Sequence, residues 1–569
     1  MSMESEHLTP GAFEDVQSLR PGIVREHSPA SIVRALSALS EIHLERESAR
    51  PITGISMDSR AVRTGDLYVA LPGAKVHGAS FAQAAVDAQA SAILTDRAGY
   101  ELMQQRGIDL SDCSILLAED IRPLVGPAAA LIYGSAGQDT LTPFAVTGTN
   151  GKTTTTYMLE SVLRRALSYR TGLVGTIQIL VDGASVPSTM TTPESVHVHS
   201  LLSLMGERGL DAVAMEVSSH AIDYHRVDGV KYRFAGFTNL TQDHLDLHGT
   251  MEDYFASKAQ LFTPSRCQQA VITVDDSWGE RMADTAVSQL GEQNVYRLYT
   301  GRGAGASLPE GSSELDWAVV DVEREGLGHR FALLSGSGER VECLTFLPAD
   351  FNVSNAALAA LLAYLHADEA QRPALRAALA DGSALTPVVP GRMQLISTAP
   401  HAIVDFAHNP DGLTRALEAM DRPGAGRVII VFGATGERDQ LKRPIMGEIA
   451  ARHADIVIVT DDDPHGEDPA PIREQVVAGA QAAQAEGARA AEILNISPRE
   501  DAIAQAVRLA GAADSILIAG RGHETVQEVD GTNIALDDRL ETARALLANG
   551  YSVLPDYAAM VENATKNTN

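Results

Sequence analysis

The sequence predicts an α/β protein of three domains, and three observations carry that prediction. Short apolar runs with no polar alternation recur between helical stretches, the pattern of parallel strands covered on both faces. Examples are FAVT (144–147), AVAMEV (212–217), FAGFTNL (234–240) and QAVITV (269–274), and then AIVDF (402–406), VIIVF (428–432), DIVIVT (455–460) and SILIAG (515–520). Polar motifs follow these runs directly, and in such sheets ligands collect at the carboxyl ends of the strands. Finally, a length of 569 residues suits several domains of ordinary size.

In chain order, residues 1–26 are polar and proline-containing, and are expected to form a flexible extension. Residues 27–138 read as a small α/β domain with a turn-rich centre. Its Asp58-Ser59-Arg60 and Lys75–Gly78 stretches suit either a polar ligand or plain surface turns. A central domain is expected over 139–390, a third domain over 391–555 and a tail over 556–569. Within the central domain, residues 297–346 carry Gly/Ser-rich turns and predict antiparallel hairpins at one sheet edge.

The stretch LTPFAVTGTNGKTTTTYMLE (141–160) passes from strand through a glycine turn to helix. Backbone N–H groups and a helix N-terminus there would face an anion, Lys152 adds a mobile charge, and the Thr153 hydroxyl is a magnesium ligand type. The spacing G-x-x-G-K-T is tighter than the common phosphate loop, because Val146 stands where its first Gly would be. The chain has only six lysines among 45 basic residues, so a lysine inside a motif points to its point charge or its titratable amine.

Composition narrows the function. A formal charge of −29 argues against nucleic-acid binding, and an anionic substrate must then meet local positive charge. No stretch has the length of a membrane span, and MSMESEHLTP lacks a signal pattern. Three scattered cysteines make neither a disulfide framework nor a zinc site. The expectation is a cytoplasmic protein without membrane insertion.

Magnesium needs few protein oxygens. Glu216, ending a strand beside the phosphate loop, is the natural carboxylate, against the plainer reading of a solvated strand-end acid. His244 in QDHLDLHG is as readily a loop-bonding histidine as a ligand. Lys258, in the helical stretch EDYFASKAQLF, reads on residues alone as a surface lysine laid over the core.

GTNGKTTT, TTPE (191–194), MEVSSHAIDYHRV (215–227), FTNLTQDHLDLHG (237–249), FNVSNAALA (351–359), GRM (391–393), DFAHNPDGL (405–413) and GRGHE (520–524) occur here in the order in which they occur in the Mur ligases. The chain resembles that family over about residues 50–550. The resemblance implies a UDP-binding N-terminal domain, a central P-loop ATPase domain with a mostly parallel sheet, and a C-terminal Rossmann-like domain that binds an amino acid. It implies a ligase of peptidoglycan precursor synthesis that joins a free diamino acid to the D-Glu of UDP-MurNAc-L-Ala-D-Glu, and a monomer is expected. ATP first gives an acyl phosphate, which an amine then attacks.

Carried over residue by residue, Gly148, Thr149, Asn150, Gly151, Lys152, Thr153 and Thr154 would hold the ATP phosphates. Asn352, Arg392, Asp405 and His408 would close on the nucleotide. Thr153 and Glu216 would ligate one Mg2+, and Glu216, His244 and a carbamylated Lys258 a second. Thr191, Thr192, Ser218 and Arg226 would contact the muramoyl-dipeptide, and Ser59 the uridine side. Lys152, Glu216, His244 and Lys258 are thus the implied catalytic set. Tyr224 departs from the family pattern, where Gln is common, and stays outside the implied site.

The amino acid would sit on Arg438, Asp462, Asp463, His465, Gly520 and Glu524. Relatives that use meso-diaminopimelate carry Asp-Asn-Pro-Arg, with the Arg on the distal carboxylate; the aligned stretch here is Asp462-Asp463-Pro464-His465. An acid in place of Asn and an imidazole in place of Arg suit a distal ammonium, so L-lysine is expected first and L-ornithine second. meso-Diaminopimelate is the alternative, should His465 be protonated or Arg473 substitute. Rival readings are another Mur ligase step, the related folylpolyglutamate synthetase, or a P-loop nucleotide switch without ligation.

Overall fold

The computed structural model describes residues 16, 19–73, 75–135, 140–187, 190–243, 245–301, 312–421, 426–437 and 439–567. Among the described residues three large sheets are built in chain order, as the apolar runs predict, and a two-stranded sheet, Val526–Val529 with Thr532–Ala535, adds a fourth. The N-terminal sheet runs, in space, Ile42–Arg46, Ser114–Ala118, Ala92–Thr95, Asp66–Val69, Gly54–Ser56. All neighbours in it are parallel except the first pair. Every residue of the strand Ser114–Ala118 is buried, which explains its unbroken apolar pattern.

Among the described residues the central sheet has 11 strands. The strand Thr142–Thr147 lies in its middle, between the parallel strands Ala212–Glu216 and Tyr232–Phe237. Register places Glu216 opposite Val146 and Phe237 opposite Thr147, so three strand ends open on one rim. The predicted hairpins are the antiparallel strands Trp317–Glu325, Gly328–Ser335 and Arg340–Thr345 at one edge. The helix Lys152–Ala166 packs on the helix Phe351–His366 within one of the domain's cores.

In the third domain the strand order is Gln394–Thr398, His401–Asp405, Ser515–Ala519, Val428–Phe432, Ile456–Val459, Glu492–Asn495, parallel after the first antiparallel pair. A buried ion pair braces its rim from behind. Arg499 and Asp538 are both 0% exposed and joined by two 2.8 Å hydrogen bonds, and Arg499 also donates to the carbonyls of Asp461 and Ala519. Among the described residues no helix is long and apolar enough to cross a membrane.

The segment ahead of the first domain is tied to both neighbours. Arg20 grips Asp66 through two donors, at 2.9 and 2.8 Å, and Gly22 and Ile23 donate their amides to the Glu207 carboxylate of the central domain at 2.7 and 2.8 Å.

Candidate active site

The phosphate loop is shaped by two glycines that no other residue could replace without movement. Gly148 has φ +144°, and a Cβ there would lie 1.9 Å from the Thr238 hydroxyl; Gly151 has φ +89°, with Asn355 at 2.3 Å from its would-be Cβ. The tail of the loop is moored to the next strand end: Thr149 N–H donates to the Asn239 carbonyl at 2.9 Å and Asn150 N–H to Asn239 Oδ1 at 3.0 Å. Among the described residues no side chain caps the helix that begins at Lys152, and its first residues line the cleft, as an anion site requires.

Two amines converge on this loop. Lys152 Nζ donates to the carbonyls of Gly148 and Thr149 at 2.9 Å each, and Lys258 Nζ to the Gly148 carbonyl at 2.9 Å. Lys258 is 1% exposed, 4.4 Å above the Tyr254 ring, so it is not the surface lysine that its residues alone suggest. The helix Met251–Ala259 is tucked beneath the loop and buries its C-terminal turn there. Burial, followed by the charge of Lys152, holds the Lys258 amine well below the ordinary lysine range; burial also lowers Lys152, against the pull of Glu216 and Asp243.

Glu216 is 0% exposed, which excludes the solvated strand-end reading. Its carboxylate accepts from the Thr153 hydroxyl at 2.9 Å, the Thr176 amide at 2.8 Å and the Thr176 hydroxyl at 3.0 Å. Thr192 donates to the Glu216 carbonyl and is buried, so it braces the acid rather than lining the cleft. Thr191 reaches Thr176 at 3.1 Å, and Ser218 caps the short helix Ser219–Asp223.

The third domain is closed on this loop. Arg392 Nη2 donates to the Thr153 hydroxyl at 3.3 Å and its guanidinium lies 4.2 Å from the Phe406 ring centre. Asn150 Nδ2 donates to Asp411 at 2.9 Å, and Asn409 Nδ2 to Asp243 at 3.3 Å. Asp405, its carboxyl raised by burial, accepts the amides of Met393 and Ala407; His408, lowered by burial, contacts the Phe406 carbonyl at 2.8 Å. Asn352 is buried and accepts from Asn355.

One cleft of about 670 Å³ therefore runs from Thr149–Thr154 past Thr191, Glu216, Ser218 and Arg226 to Arg392, Asp405 and His408, and on to Asp462, Asp463, His465, Gly520 and Glu524. A smaller cavity of about 170 Å³ opens between the first two domains, lined by Arg20, Met57, Asp58, Tyr133, Glu194 and His197; Ser59 is in the turn beside Asp58. His244 and Arg438 lie outside the described residues.

At the third-domain rim the charges are not free. Arg521, 0% exposed, ion-pairs with Asp463; Arg473 pairs with Asp461 and bonds Asn495; His465, with φ +51°, contacts Glu528 at 2.9 Å. Glu524 is pushed up to about 8, by burial first and then by Asp462.

The donor set suits nucleotide phosphates and their metal. The glycine cradle, the uncapped helix, the buried amines and the adjoining Thr153 and Glu216 oxygens match a triphosphate with magnesium. Among the described residues no group of three or more His, Cys, Asp and Glu side chains clusters as a metal site. Magnesium, which keeps several waters, does not need one.

The sequence matches the Mur ligase middle domain over residues 146–363, the Mur ligase glutamate ligase domain over 391–522, and the Mur ligase family catalytic domain over 51–119. It is 40% identical over 495 residues to a UDP-N-acetylmuramoyl-L-alanyl-D-glutamate–2,6-diaminopimelate ligase of Streptomyces coelicolor, covering 87% of this chain and 92% of the relative.

The chain belongs to the Mur ligase family.

As a Mur ligase it is an ATP-dependent, ADP-forming enzyme. It is also 38% identical over 537 residues to a UDP-N-acetylmuramyl-tripeptide synthetase of Leifsonia xyli subsp. xyli, covering 94% of this chain and 98% of that one. A solved UDP-N-acetylmuramoyl-L-alanyl-D-glutamate–2,6-diaminopimelate ligase superposes with TM-score 0.59 at 29% identity, over 88% of this chain and 96% of the other. Residues that sequence reasoning passed over in this Mur ligase are Thr176, Asp243, Asn355, Asn409, Asp411 and Lys442, all of which touch the site. Asn409 and Asp411 stood inside the quoted DFAHNPDGL, so a polar residue capping a helix at a strand end was a usable signal.

Proposed function

We propose that this Mur ligase acts in the cytoplasm, joining a diamino acid to the D-Glu carboxylate of UDP-MurNAc-L-Ala-D-Glu. The observation that carries this is the single cleft in which the phosphate loop, the Thr191–Ser218–Arg226 group and the third-domain rim meet. The γ-phosphoryl group of ATP passes to the peptide carboxylate, and the amine of the diamino acid then displaces phosphate from the acyl phosphate to form the amide. Lys152 neutralises charge where two anions approach, and closure of Arg392, Asp405 and His408 excludes water from the activated acid.

Thr153 and Glu216 are the residues that would hold one magnesium ion, with Glu216, His244 and a carbamylated Lys258 for the second. Bound there, the metal offsets the charge on the phosphates. The surroundings of Lys258 support the modification: burial disfavours the charged form of its amine, and the neutral amine is the form that adds carbon dioxide.

The amino acid we assign is meso-diaminopimelate, in line with the names of the Streptomyces relative and the superposed structure. The charge argument for L-lysine assumed an unpaired Asp463, and Arg521 neutralises it. L-lysine or L-ornithine is the second reading, favoured by His465 in place of an arginine. Mass analysis of product made with ATP, UDP-MurNAc-L-Ala-D-Glu and each of the three amino acids tests both. Product with meso-diaminopimelate alone fits the first and product with L-lysine the second. ATP turnover that needs neither co-substrate, with no amide, refutes the ligase.

A further inference from the structure

The acceptor read above is long, and the structure offers it two cavities. Its nucleoside suits the smaller one between the first two domains, and its peptide the main cleft. The cavities meet at one ion pair: Glu194 lines the smaller, Arg226 lines the larger, and they are 3.0 Å apart. The diphosphate of the acceptor lies between nucleoside and sugar, so it must cross near this pair. In a chain of charge −29 that crossing needs a cation.

A second arginine is present there. Arg122 opens the helix Arg122–Tyr133 just after the strand Ser114–Ala118, at the carboxyl rim of the N-terminal sheet. Its guanidinium stands 5.6 Å from the ring centre of Tyr224, which also carries Arg226 at 5.7 Å. Among the described residues Arg122 makes no hydrogen bond, and its nearest acid, Glu194, is 3.9 Å away. Nε of Arg226 is buried with no partner. Stacking on a ring engages the flat face of a guanidinium and leaves the in-plane N–H fork free, the edge that matches phosphate oxygens. Tyr224 and Arg122 are each 39% exposed, open to the approach.

We propose that Arg122, its plane set by Tyr224, binds the diphosphate of the nucleotide-sugar acceptor as it passes from the nucleoside cavity into the catalytic cleft. Tyr224 acts as a positioning residue, which gives its departure from the family's Gln a purpose. This inference rests on the acceptor assigned above.

The test is steady-state kinetics on the full chain, with calorimetry using UDP and uridine as probes. R122Q is expected to raise KM for the acceptor about tenfold, the scale of a charge-assisted pair, with kcat changed less than twofold and KM for ATP unmoved. UDP binding weakens by the same factor while uridine binding does not. Y224L raises KM about threefold, the scale of an exposed cation–π contact, and Y224F restores it. Unchanged KM in R122Q, or equal weakening of UDP and uridine, overturns the proposal while the ligase reading stands. A wild type that ignores the acceptor overturns both.

Discussion

Changing Glu216 to Gln keeps the shape of a buried side chain and removes its charge. The carboxylate accepts three hydrogen bonds, two on Oε2 from the Thr153 and Thr176 hydroxyls and one on Oε1 from the Thr176 amide. A glutamine can leave its oxygen on the Thr176 amide and turn its NH2 toward the hydroxyls, which rotate to accept. What is lost is charge assistance, at about 1–3 kcal/mol, so the fold survives with a slightly lower Tm. Catalysis fares worse. Glu216 is the acid beside Thr153, and its charge opposes that of Lys152. Losing one ionic group where charge gathers in a water-excluded site costs roughly 4 kcal/mol of barrier, about a thousandfold in rate. Amide product is followed by mass analysis across a magnesium titration, beside a thermal melt. E216Q that is folded and within tenfold of wild type refutes the role given to this acid.

Three more outcomes are expected. K258A loses amide synthesis by about a hundredfold or more, and added bicarbonate stimulates dilute wild type but not the variant; equal stimulation of both speaks against carbamylation. Glu524, raised to about 8 in the fold from an ordinary 4.5, is protonated in the folded state where the unfolded chain is ionised. Its contribution is therefore present at low pH and fades as pH rises through about 8, so the Tm advantage of E524Q over wild type grows between pH 5 and pH 9. A constant difference across that range contradicts the assignment. Breaking the buried pair with D538N leaves Arg499 uncompensated and is expected to cost about 3–5 kcal/mol in denaturant unfolding; a loss below about 1 kcal/mol would mean the pair is dispensable.

Much of this architecture is readable from local pattern. Fully buried parallel strands give unbroken apolar runs, and the residue that ends each run must lie on the rim, which is how Glu216 was found; Asp405 followed only from the resemblance to the Mur ligases. The antiparallel edge near 317–345 was visible in its turn chemistry. Local pattern fails where the deciding partner is distant. Lys258 sits among apolar neighbours, and nothing in EDYFASKAQLF says that its helix lies under a loop 110 residues earlier. The Asp463–Arg521 pair, 58 residues apart, is equally silent, so the sequence-based argument for L-lysine treated as free a charge that the fold neutralises. Asn150 and Asp411, 261 residues apart, meet only because two domains close. The polar composition around Arg20 likewise carries no trace of Asp66 or Glu207.

Hydrogen bonds span that closure. Asn150–Asp411, Asn409–Asp243 and Arg392–Thr153 are each worth about 0.5–1.5 kcal/mol and hold the third domain on the loop. That bias leaves only a minority of molecules ajar. Incoming nucleotide meets only that minority, so its apparent affinity is diluted by the same fraction. Loosening either amide would make ATP bind more tightly and the product leave sooner, at the expense of a drier chamber.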